Sequence, residues 1–438
     1  MKNLANSVCV ALALAFAPLA GAQTVPPAGA TAAAMPSRLT EADAERIGLA
    51  ANPASAAALA GVNAAHDTWQ SLAAIPNPNL SLSYATGTST SPTISGASTD
   101  TFFNVGESLD TSGQHRYQAA GAHAAFYSTR YQYQETILGL RQQIRDAYWA
   151  YVAAKGQTQI SMETLGDVQK TFDLTKVQLQ AGASPKIDVV RAGIDVANAQ
   201  QAVLQAQGAE KSALAALNTI LARPPMAPVM PADSLVETAQ TPDLLPGLPG
   251  LPELTRLALQ NRPAIQSADQ AVRVARYGVD QARASQYPDT SVNYSRSLDQ
   301  GQDTVMLAVS LPLFDLGSIH HSIRSAEASQ RQAGALETQL RQQVAQQVAQ
   351  AYTDFVTARR QSLSYQADIL NPSETLLGMA ETGYKQGATG ILPVIDAQNT
   401  LRNARNGFVT NLLALYKARD EILAATGKLR FGAAPPPR

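Results

Sequence analysis

The chain is poor in the residues that most soluble chemistry requires. It has one cysteine, Cys9, among 438 residues, which excludes a disulfide framework and a thiolate metal site. Its 33 basic and 34 acidic residues nearly cancel and form no basic run, so nucleic-acid binding has no electrostatic footprint. Beyond the first 22 residues no stretch offers 18 consecutive apolar residues, which argues against an inner-membrane helix. There is no phosphate-binding glycine loop, nucleophile elbow or HExxH, so no enzyme and no cofactor is expected. The five histidines are His66, His115, His123, His320 and His321. His320 and His321 are adjacent and point apart on a helix, so no metal site is expected; His115 and His320 read as polar residues beside the strands. Trp69 and Trp149 read as helix packing residues.

What is present begins with a leader. Lys2, the apolar run Val8–Ala20 and the small residues Ala20-Gly21-Ala22 predict a signal peptide over 1–22, too short to serve as a comfortable membrane anchor. Ser7, Val8 and Val10 around Cys9 make no acylation box, so no lipid anchor is expected.

The dominant feature is an internal duplication. Asn52-Pro53 aligns with Arg262-Pro263, Pro78 with Pro288 and Tyr84 with Tyr294, at an offset of 210 (288 − 78). Downstream, Ala147-Tyr148 matches Ala351-Tyr352 at 204 (352 − 148), and Gly182-Ala183-Ser184 matches Gly387-Ala388-Thr389 at 205 (387 − 182). The offset changes are assigned to loops around the strand-like segments, where length differences are tolerated. Two similar halves favour a pseudo-symmetric object over a single catalytic cleft.

Each half shows the same plan. The first, 39–222, opens with a helix from Thr40 to Ala74, ended by Pro76 and Pro78. Asn79–Thr86 alternates, with Leu80, Leu82 and Tyr84 on one face; Gly87–Ser98 reads as a Ser/Thr/Gly-rich turn, and Thr101–Leu109 as a second strand. The second half, 253–427, repeats this with a helix Pro252–Gln286 and a hairpin over 289–313. Strands of this length suit a tilted membrane span; an ordinary edge sheet is the alternative, and the very long flanking helices of an exported protein weigh against it.

From Gly113 to Gly182 there is no proline, and Ile137, Leu140, Ile144, Ala147, Tyr151 and Ala154 form a heptad seam resumed by Leu165, Val168 and Phe172. Some 70 residues of helix would span on the order of 100 Å. Ser318–Gly387 corresponds to it and contains Pro372. Return helices follow at Ile187–Ala222 and Ile391–Thr426, rich in Ala and Gln, which suit the wall of a water-filled tube. A Pro-rich segment, 223–252, reads as an extended connector, and 23–38 and 428–438 as tails.

In the order and spacing of these parts the chain resembles the TolC-like outer-membrane factors of Gram-negative bacteria. The resemblance rests on the duplication, on the entries Ile75-Pro76-Asn77-Pro78-Asn79 and Gln286-Tyr287-Pro288-Asp289, and on the exit Ser310-Leu311-Pro312-Leu313-Phe314-Asp315-Leu316-Gly317 with its weaker copy Ser108–Gly113. Gly383-Tyr384-Lys385-Gln386-Gly387-Ala388-Thr389 with Val394-Ile395-Asp396-Ala397 completes it.

The resemblance implies a mainly α chain with membrane β. Long helices would form a coiled-coil barrel, and four strands per chain would complete a 12-stranded outer-membrane β-barrel in a homotrimer, facing outer-membrane lipid. It implies a periplasmic adaptor docking at the helical tips, Gly182, Ala183, Ser184, Gly387, Ala388 and Thr389, although both glycines also read as plain helix terminators. It implies a periplasmic constriction at Asp396, with Asp188 as the weaker equivalent and Tyr384 as a gate residue. A ring of acids there would favour cations, although Asp396 also reads as an exposed carboxylate at a helix start. Pro393 stands where the family often has a second acid, and Thr389 where some members carry a basic latch.

The leading expectation is therefore the passive exit duct of a tripartite exporter driven by an inner-membrane pump, the resistance-nodulation-division type favoured over an ABC transporter, with heavy-metal service one option. The alternatives are a type I protein-secretion channel and, in another class, a soluble periplasmic coiled-coil adaptor or scaffold.

Overall fold

A computed structural model describes residues 37–91, 94–182, 184–236, 242–299, 301–312 and 316–427. The expected signal peptide, most of the N-terminal tail, the C-terminal tail, Ala183 and the exit residues Leu313, Phe314 and Asp315 lie outside the described residues. The elements run α1 (Glu41–Ala51), α2 (Pro53–Ala73), β1 (Asn79–Ser91), β2 (Ile94–Leu109), α3 (Gln114–Gln180), α4 (Lys186–Ile220), α5 (Leu251–Asn261), α6 (Pro263–Ala284), β3 (Asp289–Ser297), β4 (Asp303–Ser310), α7 (Ser318–Tyr365), a π-turn (Gln366–Leu370), α8 (Asn371–Lys385) and α9 (Leu392–Ala425).

Two expected single helices are each two. Thr40 caps α1 through Oγ1, which accepts from the Asp43 N–H, but the chain turns extended at Asn52, and Pro53 starts α2. Arg262 and Pro263 repeat the break between α5 and α6. The physical cause is proline, which restricts the residue before it to extended backbone and fits the first turn of a new helix. The Asn52 side chain also caps α2 by accepting from the Ala54 N–H at 2.9 Å.

The four strands form one antiparallel sheet in sequence order. The stretch 87–98, expected as a turn, is mostly strand: β1 and β2 pair from Asn79↔Gly106 to Ser91↔Ile94. Ser and Thr are strand-compatible residues, and β-pairing extends through them as far as Ser91↔Ile94. Register sorts the sheet into two faces. One carries Leu80, Leu82 and Tyr84, then Phe103 and Val105, then Val292 and Tyr294, then Val305, Leu307 and Val309. The other carries Ser81, Ser83, Asn104, Asn293, Ser295 and Thr304, with Phe102 and Met306 as large apolar residues among them. Glu107 is an acid among the apolar rows, while Arg296 and Asp303 pair at 3.8 Å at their far end. β1 and β4 are open edges.

The helices continue this order below the sheet: α2 packs on α3, α3 on α6 and α6 on α7, leaving α2 and α7 as edges. Nearer the tips α4 packs on α3, α3 on α9 and α9 on α8. α3 is unbroken over 67 residues. Its buried side matches the heptad expectation at Leu140, Ile144, Tyr151 and Ala154 and widens through Tyr148, Trp149, Val152 and Ala153. Toward the tip the line departs from it. Val168 is followed by buried Thr175 rather than Phe172, whose ring lies against Gly193 of α4.

The second half's long helix is interrupted. One extra residue between Tyr352 and Gly387, the step from 204 to 205, falls inside helix and not in a loop as expected. It is accommodated as the π-turn Gln366–Leu370, followed directly by Pro372 near the start of α8. Pro372 supplies no N–H and crowds the carbonyl four residues back, which is where a wider turn relieves a helix.

The connector is extended yet stitched down. Leu39 bridges Pro231 in parallel, Tyr148 Oη donates to the Leu39 carbonyl at 3.0 Å and Tyr151 Oη to that of Val229 at 2.8 Å. Next to this lies a buried ionic hub joining α1, α3 and α9. Arg145 meets Glu45 at 2.7 Å and Asp420 at 3.4 Å, Arg419 meets Glu41 at 2.7 Å and Asp420 at 2.8 Å, and Trp149 stacks on Tyr416 at 3.7 Å. Among the described residues no helix is long and apolar enough to cross a membrane.

Candidate functional site

Each tip is built by a glycine-terminated helix. Gly387 has φ +71°, a conformation that costs any other L-residue. Its N–H donates to the Tyr384 carbonyl at 3.0 Å, and Ala388 N–H donates to that of Gly383 at 2.9 Å. This pair of bonds is the Schellman closure of a helix end. Gly182 has the same φ, +71°, and donates to Leu179. Beyond it Ser184 Oγ donates to the Asp188 carboxylate at 3.1 Å. The helix-terminator reading of both glycines therefore holds. Gly182, Gly387, Ala388 and Thr389 are exposed, so the same turns also present small residues outward.

The gate candidates separate. Asp396 is exposed in the first turns of α9, and its backbone carbonyl accepts from Thr400 Oγ1 at 2.7 Å. Asp188 is half-buried beside Ser184. Tyr384 is buried at 6% exposure and joins the halves: its hydroxyl donates to Gln178 Oε1 and lies 3.4 Å from Thr175 Oγ1. One and two turns up, Gln398 Nε2 donates to Thr171 Oγ1 at 2.9 Å. Thr171, Thr175 and Gln178 were not singled out in the sequence, although their spacing of 4 and 3 places them on one helical face.

This contact is a neutral polar zipper between α3 and α8–α9, on an apolar cluster of Ala380, Ile391, Val394, Ile395 and Ala397. It is incompletely satisfied. Gln398 Oε1 is buried without a hydrogen-bond partner among the described residues, and so is Asp195 Oδ2 of the adjoining α4. Burial pushes the Asp195 carboxyl up, against Arg402 and a hydrogen bond from Asn399. Buried polar atoms without partners destabilise this packing relative to an apolar one, so the zipper holds the tips together only modestly. Among the described residues no group of three or more His, Cys, Asp or Glu side chains is placed to hold a metal ion.

Known proteins share this architecture. The profile of the family described as outer membrane efflux protein matches residues 47–223 and 254–428. The protein CyaE of Bordetella pertussis is 26% identical over 296 residues, covering 65% of this chain and 61% of its own length. The cobalt-zinc-cadmium resistance protein CzcC of Cupriavidus metallidurans is 24% identical over 312 residues, covering 68% of this chain and 71% of its own. The solved outer-membrane channel OprN superposes with a TM-score of 0.77 at 22% identity, over 88% of this chain and 89% of that one. The match thus spans less than two thirds of the CyaE chain.

Proposed function

The chain belongs to the outer membrane efflux protein family, and from that premise we propose that three copies form a passive outer-membrane exit duct for a tripartite efflux system. The observation that carries this reading is the open-edged, two-faced sheet. In one copy Leu80 is 64% and Val305 73% exposed on the apolar face, and β1 and β4 leave backbone groups unpaired. Lipid tolerates neither unpaired edges nor an open sheet, so closure through further copies satisfies both, with the Ser/Asn face lining a water-filled interior. The edges α2 and α7 lie on the same sides and would close in step. This duct carries no catalytic role.

Within that reading the tip residues Gly182, Ala183, Ser184, Gly387, Ala388 and Thr389 dock a periplasmic adaptor, and the pump beyond is of the resistance-nodulation-division type. The exposed Asp396 carboxylates, three per trimer, make the constriction favour cations, with Asp188 secondary and Tyr384 holding the tips closed. Efflux of a cation or small molecule accords with CzcC, which is named for cobalt-zinc-cadmium resistance.

The test is reconstitution of the full-length protein in planar lipid bilayers, alongside envelope fractionation. The reading expects outer-membrane recovery, a trimer, and a cation-selective conductance whose selectivity falls in Asp396→Ala. A soluble periplasmic monomer with no conductance would overturn it.

A further inference from the structure

Between the connector and the break in the second half lies a cavity of about 340 Å³ whose walls all come from one copy. Its floor is apolar and deep. Ile160 of α3, Leu235 of the connector, and Phe408 and Val409 of α9 are each at most 5% exposed. The connector closes one side: Val236 presses onto α3 at Gly156, where an added Cβ would lie 2.9 Å from its Cγ2. One turn further along α3 the space opens at Ile160, and Leu370 at the end of the π-turn bounds it opposite.

The rim is charged. Arg405 of α9 stands 3.6 Å from Glu163 of α3 and 3.7 Å from Glu374 of α8. Both separations exceed a hydrogen bond, so the guanidinium sits between two carboxylates without bonding to either. Gln159 Nε2 donates to Glu163 Oε1 at 3.0 Å, a neutral contact that leaves the charge in place. Two carboxylates against one guanidinium leave a net negative charge at the mouth.

Floor and rim together select a ligand class. Buried Ile, Leu, Phe and Val favour an aromatic or alkyl body, whose surface they remove from water. The volume falls at the lower end of cavities that hold small molecules. An ammonium head brings three donors, and charge-assisted bonds to carboxylates are stronger than neutral ones. An anionic head would meet the carboxylate excess, and a neutral head would gain nothing from it.

We propose that this cavity binds a small amphiphilic amine, its apolar body on the floor of Ile160 and Phe408 and its ammonium at Glu163 and Glu374. Such a ligand touches α3, the connector, the π-turn and α9 at once, and so clamps the two halves together beside the break. The site is complete within one copy and does not rest on how copies assemble.

The test is isothermal titration calorimetry of the full-length protein in detergent with phenethylammonium, and with phenethyl alcohol and hydrocinnamate as its neutral and anionic matches. Phenethylammonium should bind at least about tenfold more tightly than either. Glu163→Gln with Glu374→Gln should weaken its binding by about tenfold, and Arg405→Gln, which uncovers both carboxylates, should strengthen it. The three rim side chains are partly exposed, so these variants should melt as the parent does. Absence of binding at millimolar concentration, or equal binding of the alcohol, would overturn the proposal. So would tighter binding of hydrocinnamate that Arg405→Gln abolishes, or a phenethylammonium affinity unchanged in the double variant. None of these results bears on whether copies assemble or conduct.

Discussion

The two long helices began as copies and now behave differently. α3 runs unbroken for 67 residues, buries Tyr148, Trp149, Tyr151 and Val152 and carries the ionic hub. Its counterpart is split into α7, the π-turn and α8, and the described cavities around Arg360–Tyr365, Ala367–Met379 and Leu370–Glu374 crowd that break. Tyr365, just above it, fits its hydroxyl over Gly407 of α9, where an added Cβ would displace the ring. One half is thus the keel that ties α1, the connector and α9 together. The other keeps loosely packed surface near the tip. Duplication supplies two equal helices, and unequal surroundings make one of them rigid and the other adaptable.

That comparison is broken most severely at Tyr148. It is fully buried, with its hydroxyl within hydrogen-bond distance of both the Leu39 carbonyl and the Asp233 carboxylate, whereas its repeat partner Tyr352 is only partly buried. Tyr148→Ala should cost about 3–5 kcal/mol and Tyr352→Ala clearly less, read from urea midpoints of the detergent-solubilised protein. Equal losses would mean that the halves share the load.

The next test is pH. Burial pushes the Asp420 carboxyl up to about 7, with Arg419 opposing it, Glu41 adding to it and Arg145 opposing it. Asp146, also raised by burial, lies at about 6. Each holds a proton in the folded state that the unfolded chain has released above about pH 4. Their contribution to stability is therefore full below that value and lost as pH rises to about 7. Urea midpoints should decline across pH 5–7, and Asp420→Asn should flatten the decline. Asp420 lies on α9 of the second half, whereas Asp146 of α3 has no acidic counterpart there, since Gln350 stands at its repeat position.

A third test removes the asymmetry. Deleting Ala367 equalises the offsets and should restore continuous α-helix through 362–372, seen as increased amide-exchange protection there. Unchanged exchange would show that Pro372, not the extra residue, sets the π-turn. The smallest effect belongs to the feature the halves still share: Gly182→Ala and Gly387→Ala should each cost about 1 kcal/mol, because each places a Cβ in the left-handed region.

Much of this fold was legible in the sequence because periodicity reports burial directly. The hairpins, the long α3 and both glycine-ended tips follow from alternation, heptads and helix-stop signals. Asn52-Pro53 and Arg262-Pro263 mark the duplication in the sequence, yet they also carry the chemistry of a helix break. Ser and Thr over 87–98 read as turn because their strand propensity shows only when a partner strand is in place. The π-turn was visible as a change of offset, but sequence spacing alone does not say whether an extra residue bulges a loop or a helix. The zipper stayed hidden because Thr171, Thr175 and Gln178 are polar, and their pairing with Tyr384 is a tertiary fact.

The hairpin of β1 and β2 outruns its neighbour: β3 pairs β2 only from Phe102 to Leu109, while β1 and β2 continue to Ser91↔Ile94. Asp100 and Thr101 are still hydrogen-bonded to Ser297, Leu298 and Asp299, so about six residues per strand, on the order of 20 Å at 3.3 Å per residue, stand past the sheet as a two-stranded ribbon. Such a ribbon is free to drift over generations, accepting insertions, deletions and new surface chemistry, while the rest of the wall beneath it stays fixed.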